Sequence, residues 1–471
     1  MTFVGREREL CSLEKLYATP GFQMPIVYGR RRVGKTSLLD EFVRDKPTIF
    51  FSARETTAQK NLAALSQAIA EMTPGGPPFP SDSPVPLFAS FEDAFAHIFH
   101  LAESNKFVFV IDEYPYLAES DRAVSSLLQH AIDHRSPDCQ LFLVLCGSSM
   151  SFMEHQVLGY KSPLYGRRTA QIKVEPFSIT QASLLLDGLS AETIASWYGI
   201  VGGIPLYLNQ LDHDLSLEEN LTANILSTDS FLFGEPSALL QQEVRDPASY
   251  NAIIQAIASG AGKPSEIGDA SGIAATAVTP YLKVLIELGL LKKERPVVDA
   301  NKKKVRYALD DNLFRFWHRF VPRYLTPLQA GREKDVGHLI ADAHLSTFLG
   351  PAFEDICRQW LIAHMGTDDI PLILDIGRWW GTDPSRQEQA EIDIVALGDN
   401  NELICGECKW QAKLTDMGVL RTLQHRAQII AHDRKTRLFL FSKSGFTDEC
   451  RAAAREIGCT LVALADMEIG A

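Results

Sequence analysis

Long apolar runs are missing from this chain. The longest, Phe107–Ile111 and Leu141–Cys146, have the length of buried strands, far short of the roughly 18 residues that cross a bilayer. Charge begins almost at once within Met1–Leu10, so no signal peptide is expected. Cysteine is sparse. Eight in 471 residues do not make the disulfide framework of a small secreted domain. Cys405 and Cys408 have the spacing of half a zinc site, but Glu402–Trp410 reads as a strand, where residues three apart face opposite ways. No second Cys/His pair of suitable spacing follows. Reduced thiols and a cytoplasmic location are the expectation. An excess of positive charge is absent too: the net charge of −13 argues against a protein that coats nucleic acid along its whole length. Internal repeats are lacking.

What is present is organised in blocks. At roughly 150 residues per domain the length suggests about three, and 46% hydrophobic residues suit folded globular protein. Residues 1–180 alternate short apolar runs (24–28, 48–51, 107–111, 141–145) with amphipathic helices, the pattern of a parallel α/β sheet. Thr73–Pro86 is rich in Pro, Gly and Ser and reads as a surface loop. Residues 181–245 are helical. Residues 246–311 read as three helices and two short strands, 312–349 as a helical connector, and 350–471 as a second α/β domain with strands at 372–375, 391–397, 403–409 and 437–442.

The first chemical signal is Gly29-Arg-Arg-Arg-Val-Gly34-Lys35-Thr36-Ser37, between an apolar strand and a helix. Glycines there let backbone N–H groups wrap phosphates at a helix N-terminus. Lys35 reaches the β- and γ-phosphates, and the Thr36 hydroxyl ligates Mg²⁺. Phe107–Ile111 ends in Asp112-Glu113, where Asp112 would hold Mg²⁺ and Glu113 would activate the attacking water. Capping of the next helix is the lesser alternative for that pair, given the phosphate loop upstream. Ser148, after the strand 141–145, is a candidate to contact the γ-phosphate, with an ordinary turn serine nearly as good a reading. Arg167 is a candidate to stabilise transferred phosphoryl charge, a solvated basic turn being equally good.

Phe3-Val-Gly-Arg-Glu7, the phosphate loop, Ile111-Asp-Glu-Tyr-Pro115, Gly147-Ser148 and Gly202-Gly-Ile-Pro205 occur in that order. Together they resemble the archaeal-type ATPases of the STAND branch of AAA+-related P-loop proteins. The resemblance implies that residues 3–6 lie against adenine and that Pro205 sits in a helical lid over ATP. It also implies that ATP with Mg²⁺ works a switch between compact and open or assembled states, which would make the chain capable of forming a homo-oligomer.

Residues 247–310 have the layout of a winged helix-turn-helix. Thirteen basic against eight acidic residues between 245 and 323 leave +5 there, and Lys302-Lys303-Lys304 falls at the wing tip, where phosphate contact is natural. The third helix has no Arg, Asn or Gln to read base edges. The module is therefore read either as a relay packed against its neighbours or as a nonspecific DNA contact.

In the last block Asp393 lies on one strand, and Glu407 and Lys409, two apart, share a face of the next. An antiparallel pairing would bring the three together, and Glu354 on the preceding helix can add a carboxylate. Acids that hold Mg²⁺ beside a lysine suit metal-assisted phosphodiester hydrolysis. This resembles the PD-(D/E)xK restriction-endonuclease-like superfamily over roughly 350–471, with Glu354, Asp393 and Glu407 as metal ligands. The whole chain then reads as an ATP-controlled nuclease on nucleic acid. Two alternatives stay open: an ATP switch whose C-terminal domain only binds, and a DNA-binding regulator with an ATPase sensor. No membrane partner is expected.

Overall fold

The computed structural model describes residues 3–71, 88–299 and 304–470. The expected loop at 73–86 and the lysines at 302 and 303 lie outside the described residues. The chain divides into two compact units, Met1–Pro176 and Phe177–Ala471.

The first unit is built on five parallel strands: β1 (Pro25–Tyr28), β2 (Thr48–Ser52), β3 (Phe107–Asp112), β4 (Leu141–Gly147) and β5 (Ala170–Lys173), in the order β2-β3-β4-β1-β5. Every residue of β1, β3 and β4 is buried, as expected of strands covered on both faces. Phe107, Phe109 and Ile111 alternate onto one face with Leu141, Leu143 and Leu145, under the helices Phe91–Leu101 and Val124–Asp133. Phe142 points the other way, onto Tyr17 of the helix Glu7–Ala18 and Phe42 of the helix Lys35–Val43. Each fully buried Phe contributes roughly 1.5–3 kcal/mol. β4 therefore stands between β1 and β3, and the ends of all three open on one edge of the sheet.

The second unit begins with helices. Ala191–Val201 ends at Gly202, whose φ of 75° suits glycine. Gly203 follows against the backbone of Phe177, whose N–H donates to the Gly203 carbonyl at 2.7 Å. Three helices, Pro247–Ala258, Pro264–Ser271 and Ala275–Glu287, enclose Ile253, Leu282 and Leu285 with the ribbon β6 (Leu291–Glu294) and β7 (Arg306–Leu309). After the helices Asn312–Phe320 and Leu345–Ala363 comes a mixed sheet, β8 (Ile373–Asp383), β9 (Glu388–Gly398), β10 (Leu403–Lys409), β11 (Thr436–Ser442) and β12 (Cys459–Ala463), in the order β12-β11-β10-β9-β8. β8–β9–β10 is an antiparallel meander, and β11 and β12 continue it in parallel, as their crossover helices Met417–Ala431 and Asp448–Ile457 require.

β8 runs eight residues past the expected end at Asp375, with register shifts on either side of Gly377. Those irregularities broke the alternation on which the reading relied. β12, after the left-handed cap at Gly458, was not anticipated. The ribbon is docked rather than free. The Val297 N–H donates to the Arg378 carbonyl at 3.0 Å, its side chain joins the core of the last sheet beside Trp379 and Ile392, and Lys292 pairs with Asp355 at 3.1 Å. No helix among the described residues is long and apolar enough to cross a membrane.

A Cβ on Gly203 would lie 1.9 Å from the Phe177 carbonyl oxygen. Gly203→Ala is expected to destabilise the second unit by about 1–3 kcal/mol, the range for overpacking. An unchanged thermal melt would contradict this close approach.

Candidate functional site

The phosphate loop leaves β1 at Gly29, where any side chain would clash: a Cβ would meet the Val174 carbonyl oxygen at 2.2 Å. Gly34, at φ 90°, caps the helix Lys35–Val43 and turns its first N–H groups into the loop. The Lys35 ammonium is buried and donates to the Arg30 carbonyl at 3.0 Å. Burial pulls it below its ordinary range, while Cys146, Glu113 and Asp112 oppose that. A fixed cation whose charge is costly to bury is suited to an anionic ligand.

Thr36 and Asp112 meet across the site: the Thr36 hydroxyl donates to Asp112 Oδ2 at 3.0 Å. These two oxygens fit Mg²⁺, a hard cation that takes one or two protein ligands with phosphate and water. Glu113 adopts the left-handed region at φ 51°, at a cost of about 1–3 kcal/mol for a non-glycine residue. It stands at the start of the helix Tyr114–Ser120 but makes no side-chain capping bond. Its carboxylate instead accepts from the Ser148 hydroxyl at 2.9 Å. Because β4 lies between β1 and β3, Ser148 reaches the acidic pair from the strand next door. Ser37 is exposed on the first turn of the loop helix.

Arg167 is engaged elsewhere. Its guanidinium pairs with Asp133 through two bonds of 2.6 and 2.7 Å and donates to the Pro163 and Tyr165 carbonyls. Pro205 opens the short helix Pro205–Leu208 in the second unit. Two residues had a larger part than their sequence suggested. Arg6, buried, donates to the carbonyls of Val33 and Glu175 at 2.8 Å each; it ties the loop down, in a segment expected against adenine. The buried Cys146 thiol bonds Asp112, and burial pushes it well above its usual range.

In the second unit the register of β9 and β10 pairs Ile394 with Gly406; one step further sets Asp393 opposite Glu407. The Cys408 N–H donates to Asp393 Oδ2 at 3.0 Å, and Lys409 Nζ to Glu407 Oε1 at 2.7 Å. Glu407 and Glu354 are buried, each with its Oε2 lacking a hydrogen-bond partner. Burial first, and Asp393 second, push the carboxyls of both above their usual range, Glu354 to about 8. Burial would lower Lys409, but Glu407 outweighs it and the group is raised. Lys409 therefore stays protonated near neutrality, which suits charge compensation and orientation rather than proton abstraction.

Among the described residues, no three His, Cys, Asp or Glu side chains are gathered into a metal-holding group. Glu354 has Arg378 at 3.4 Å and Arg358 at 3.9 Å beside its carboxylate, and Arg426 stands 3.6 Å from Glu407. An all-oxygen pair, Asp393 and Glu407, fits Mg²⁺ or Mn²⁺ completed by water and phosphate. Arg358 was legible in principle, four residues after Glu354 on one helix. Arg426 comes from another helix and carried no local signal.

The strand order and the meeting of loop with acidic pair define a P-loop ATPase domain. Residues 3–211 match a family described as an ATPase domain predominantly from Archaea, and 317–421 match one described as Archaea bacterial proteins of unknown function. An uncharacterized protein of Methanocaldococcus jannaschii is 31% identical over 437 residues, 92% of this chain and 93% of that protein. The Walker-type ATPase PABY2304 of Pyrococcus abyssi, a solved structure, is similar in fold at TM-score 0.52 and 22% identity, covering 67% of this chain and 96% of that one. The chain belongs to the family of the Methanocaldococcus protein; in this chain an archaeal-type P-loop ATPase domain precedes a separate C-terminal α/β domain.

Lys35→Ala is expected to abolish tight ATP binding; unchanged affinity by calorimetry would refute the assignment. Glu113→Gln should keep MgATP bound but slow hydrolysis by about 10²–10⁴, the range for a general base, and equal turnover would remove Glu113 from the chemistry. For Glu354 the sign follows from its raised pKa. The folded chain keeps a proton that the unfolded chain releases above about 4.5, so this group's stabilisation is fully present below that pH and is lost as pH rises through about 8. Without divalent metal, Glu354→Gln should melt above wild type at pH 8 and near it at pH 5. A difference independent of pH would contradict the buried-carboxyl account.

Proposed function

We propose that this protein is an ATP-binding and hydrolysing switch of the STAND type that controls a metal-dependent nuclease-like domain at its C-terminus, acting on nucleic acid. The observation that carries the nuclease half is the grouping of Asp393, Glu407 and Lys409 on one face of an antiparallel pair, with Glu354 near enough for Asp393 to raise its carboxyl as it raises that of Glu407. A divalent ion bound there supplies charge that offsets what a phosphodiester gathers as it is cleaved. The chain's own part is to hold Asp393 in place through the Cys408 N–H, to keep Lys409 protonated beside Glu407, and to limit water through the burial of Glu407. The helix–strand order 345–463, a helix before a three-stranded meander and two parallel crossovers, supports likeness to the PD-(D/E)xK fold.

The ATPase half draws its support from Lys35, Thr36, Asp112, Glu113 and Ser148 meeting at one sheet edge. We read residues 246–311 as a winged helix-turn-helix and 181–245 as the lid that carries Pro205. The docking of Val297 on β8 favours the relay reading of the winged module, since a ribbon fixed to the last sheet passes movement to it. An open state assembled from several copies belongs to the same reading. One observation favours a second reading, a binding module without cleavage: Arg358 and Arg378 already compensate Glu354.

The purified chain with Mg²⁺ or Mn²⁺ and ATP is expected to nick or degrade nucleic acid. Asp393→Ala should lower the rate at least about 100-fold, on the scale of losing a transition-state stabilising group, with ATP binding intact. Lys409→Ala should lower it with less effect on metal affinity. No cleavage of single-stranded, double-stranded or RNA substrates with ATP or a slowly hydrolysed analogue would establish the second reading instead.

A further inference from the structure

The helix Asn312–Phe320 and the turn Pro322–Tyr324 carry Arg315, Arg319 and Arg323. Steps of four residues keep side chains on one side of a helix and advance about 6 Å each. All three line a cavity of about 300 Å³, which Phe320, His344 and Phe348 help to close and no carboxylate lines. Arg319 and Arg323 are exposed and, among the described residues, have no acidic partner. Arg315 lies deeper. Its guanidinium sits over the Phe348 ring at 4.8 Å, one Nη donates to the Gly199 carbonyl at 3.2 Å, and its buried Nε has no hydrogen-bond partner. Two other arginines that line cavities of this unit are matched: Arg358 to Asp355 and Arg378 to Glu391. Arg315 feels Asp355 and Glu354 from beyond the cavity, but Arg319 and Arg323 are unmatched, and in a chain of net charge −13 such a pair at the mouth of a cavity is a place for a negatively charged ligand.

A second cavity, of about 340 Å³, adjoins the first. Ala258, Arg315 and Pro351 line both, and beyond Arg315 the second reaches the carboxylates of Glu354, Asp355 and Glu391 with Arg358 and Arg378 among them. The row spans about 12 Å, longer than one phosphate. It is open at its exposed end and continuous with the second cavity at the other. Guanidinium forks bind phosphate oxygens in pairs and stay charged at any working pH. We propose that Arg323, Arg319 and Arg315 bind the phosphodiester backbone of a nucleic-acid strand and lead it past Arg315 toward Glu354. The destination rests on the nuclease reading above; the binding does not.

The test uses the full chain in EDTA, so that binding is read without cleavage. Anisotropy of a labelled single-stranded oligonucleotide is measured across salt concentrations for wild type, Arg319→Ala/Arg323→Ala and Arg319→Lys/Arg323→Lys. Both positions are exposed, so the fold is expected to persist, and thermal melting checks it. The alanine pair should weaken binding about tenfold or more and reduce the log–log salt slope by about 1.4, at about 0.7 per lost contact. The lysine pair should keep most of that slope. Unchanged affinity and slope in the alanine pair would overturn the proposal, as would a lysine pair as weak as the alanine pair, since that is the behaviour of a structural role. AMP or inorganic phosphate binding to the wild type with no oligonucleotide binding would identify a small-anion site and overturn it too. Binding lost in the alanine pair while wild type cleaves nothing with metal and ATP would support the arginine row and remove the nuclease reading. Wild-type cleavage with full binding by the alanine pair would do the reverse.

Discussion

Everything at the nucleotide site hangs from one constraint, the insertion of β4 between β1 and β3. Parallel strands present their carboxyl ends on a common edge. The strand order therefore sets the phosphate loop, Ser148 and the Asp112–Glu113 pair side by side. Without β4 in the middle, Ser148 could not reach Glu113 at 2.9 Å while Thr36 reaches Asp112 at 3.0 Å. The strained backbone at Glu113 belongs to the same geometry: a left-handed turn straight after β3 aims the carboxylate back toward β4 instead of along the next helix. Arg6 adds a second restraint, holding the loop by the Val33 carbonyl from a segment far away in sequence.

The C-terminal domain meets a different constraint, the burial of like charge. Glu354 and Glu407 are nearly inaccessible and both feel Asp393. Such a group needs cations, and the fold supplies them from the preceding helix (Arg358), from β8 (Arg378), from β10 (Lys409) and from the helix Met417–Ala431 (Arg426). The same arrangement that makes the acids tolerable is the one on which the proposed phosphodiester chemistry rests. It also explains why the β6–β7 ribbon stays close: Lys292 joins the charge balance through Asp355, and Val297 seals the sheet beneath.

Legibility in the sequence followed the range of each interaction. The phosphate loop, the acidic pair and the strands β1 to β4 were plain because glycine spacing and five-residue apolar runs are local signals. Asp393 facing Glu407 could be anticipated because strand alternation and a short connection fix it. The extension of β8 was hidden by its irregular register around Gly377. The pairing of Arg167 with Asp133 was beyond reach, since 34 residues separate them and nothing local marks the contact. The docking of Val297 was equally invisible: in sequence it sits in a polar turn, and only the edge of β8 makes it a core residue.

The claim on which the account rests most heavily is that Asp393 and Glu407 hold a divalent ion. Crystals of the full chain soaked with Mn²⁺, measured at a wavelength where manganese scatters anomalously, test it directly. The account predicts an anomalous peak between the two carboxylates at oxygen-ligand distance, in addition to any peak beside Thr36 and Asp112. A peak at the nucleotide site alone, with Lys409 and Arg426 still pairing Glu407 and no density between the carboxylates, would contradict it.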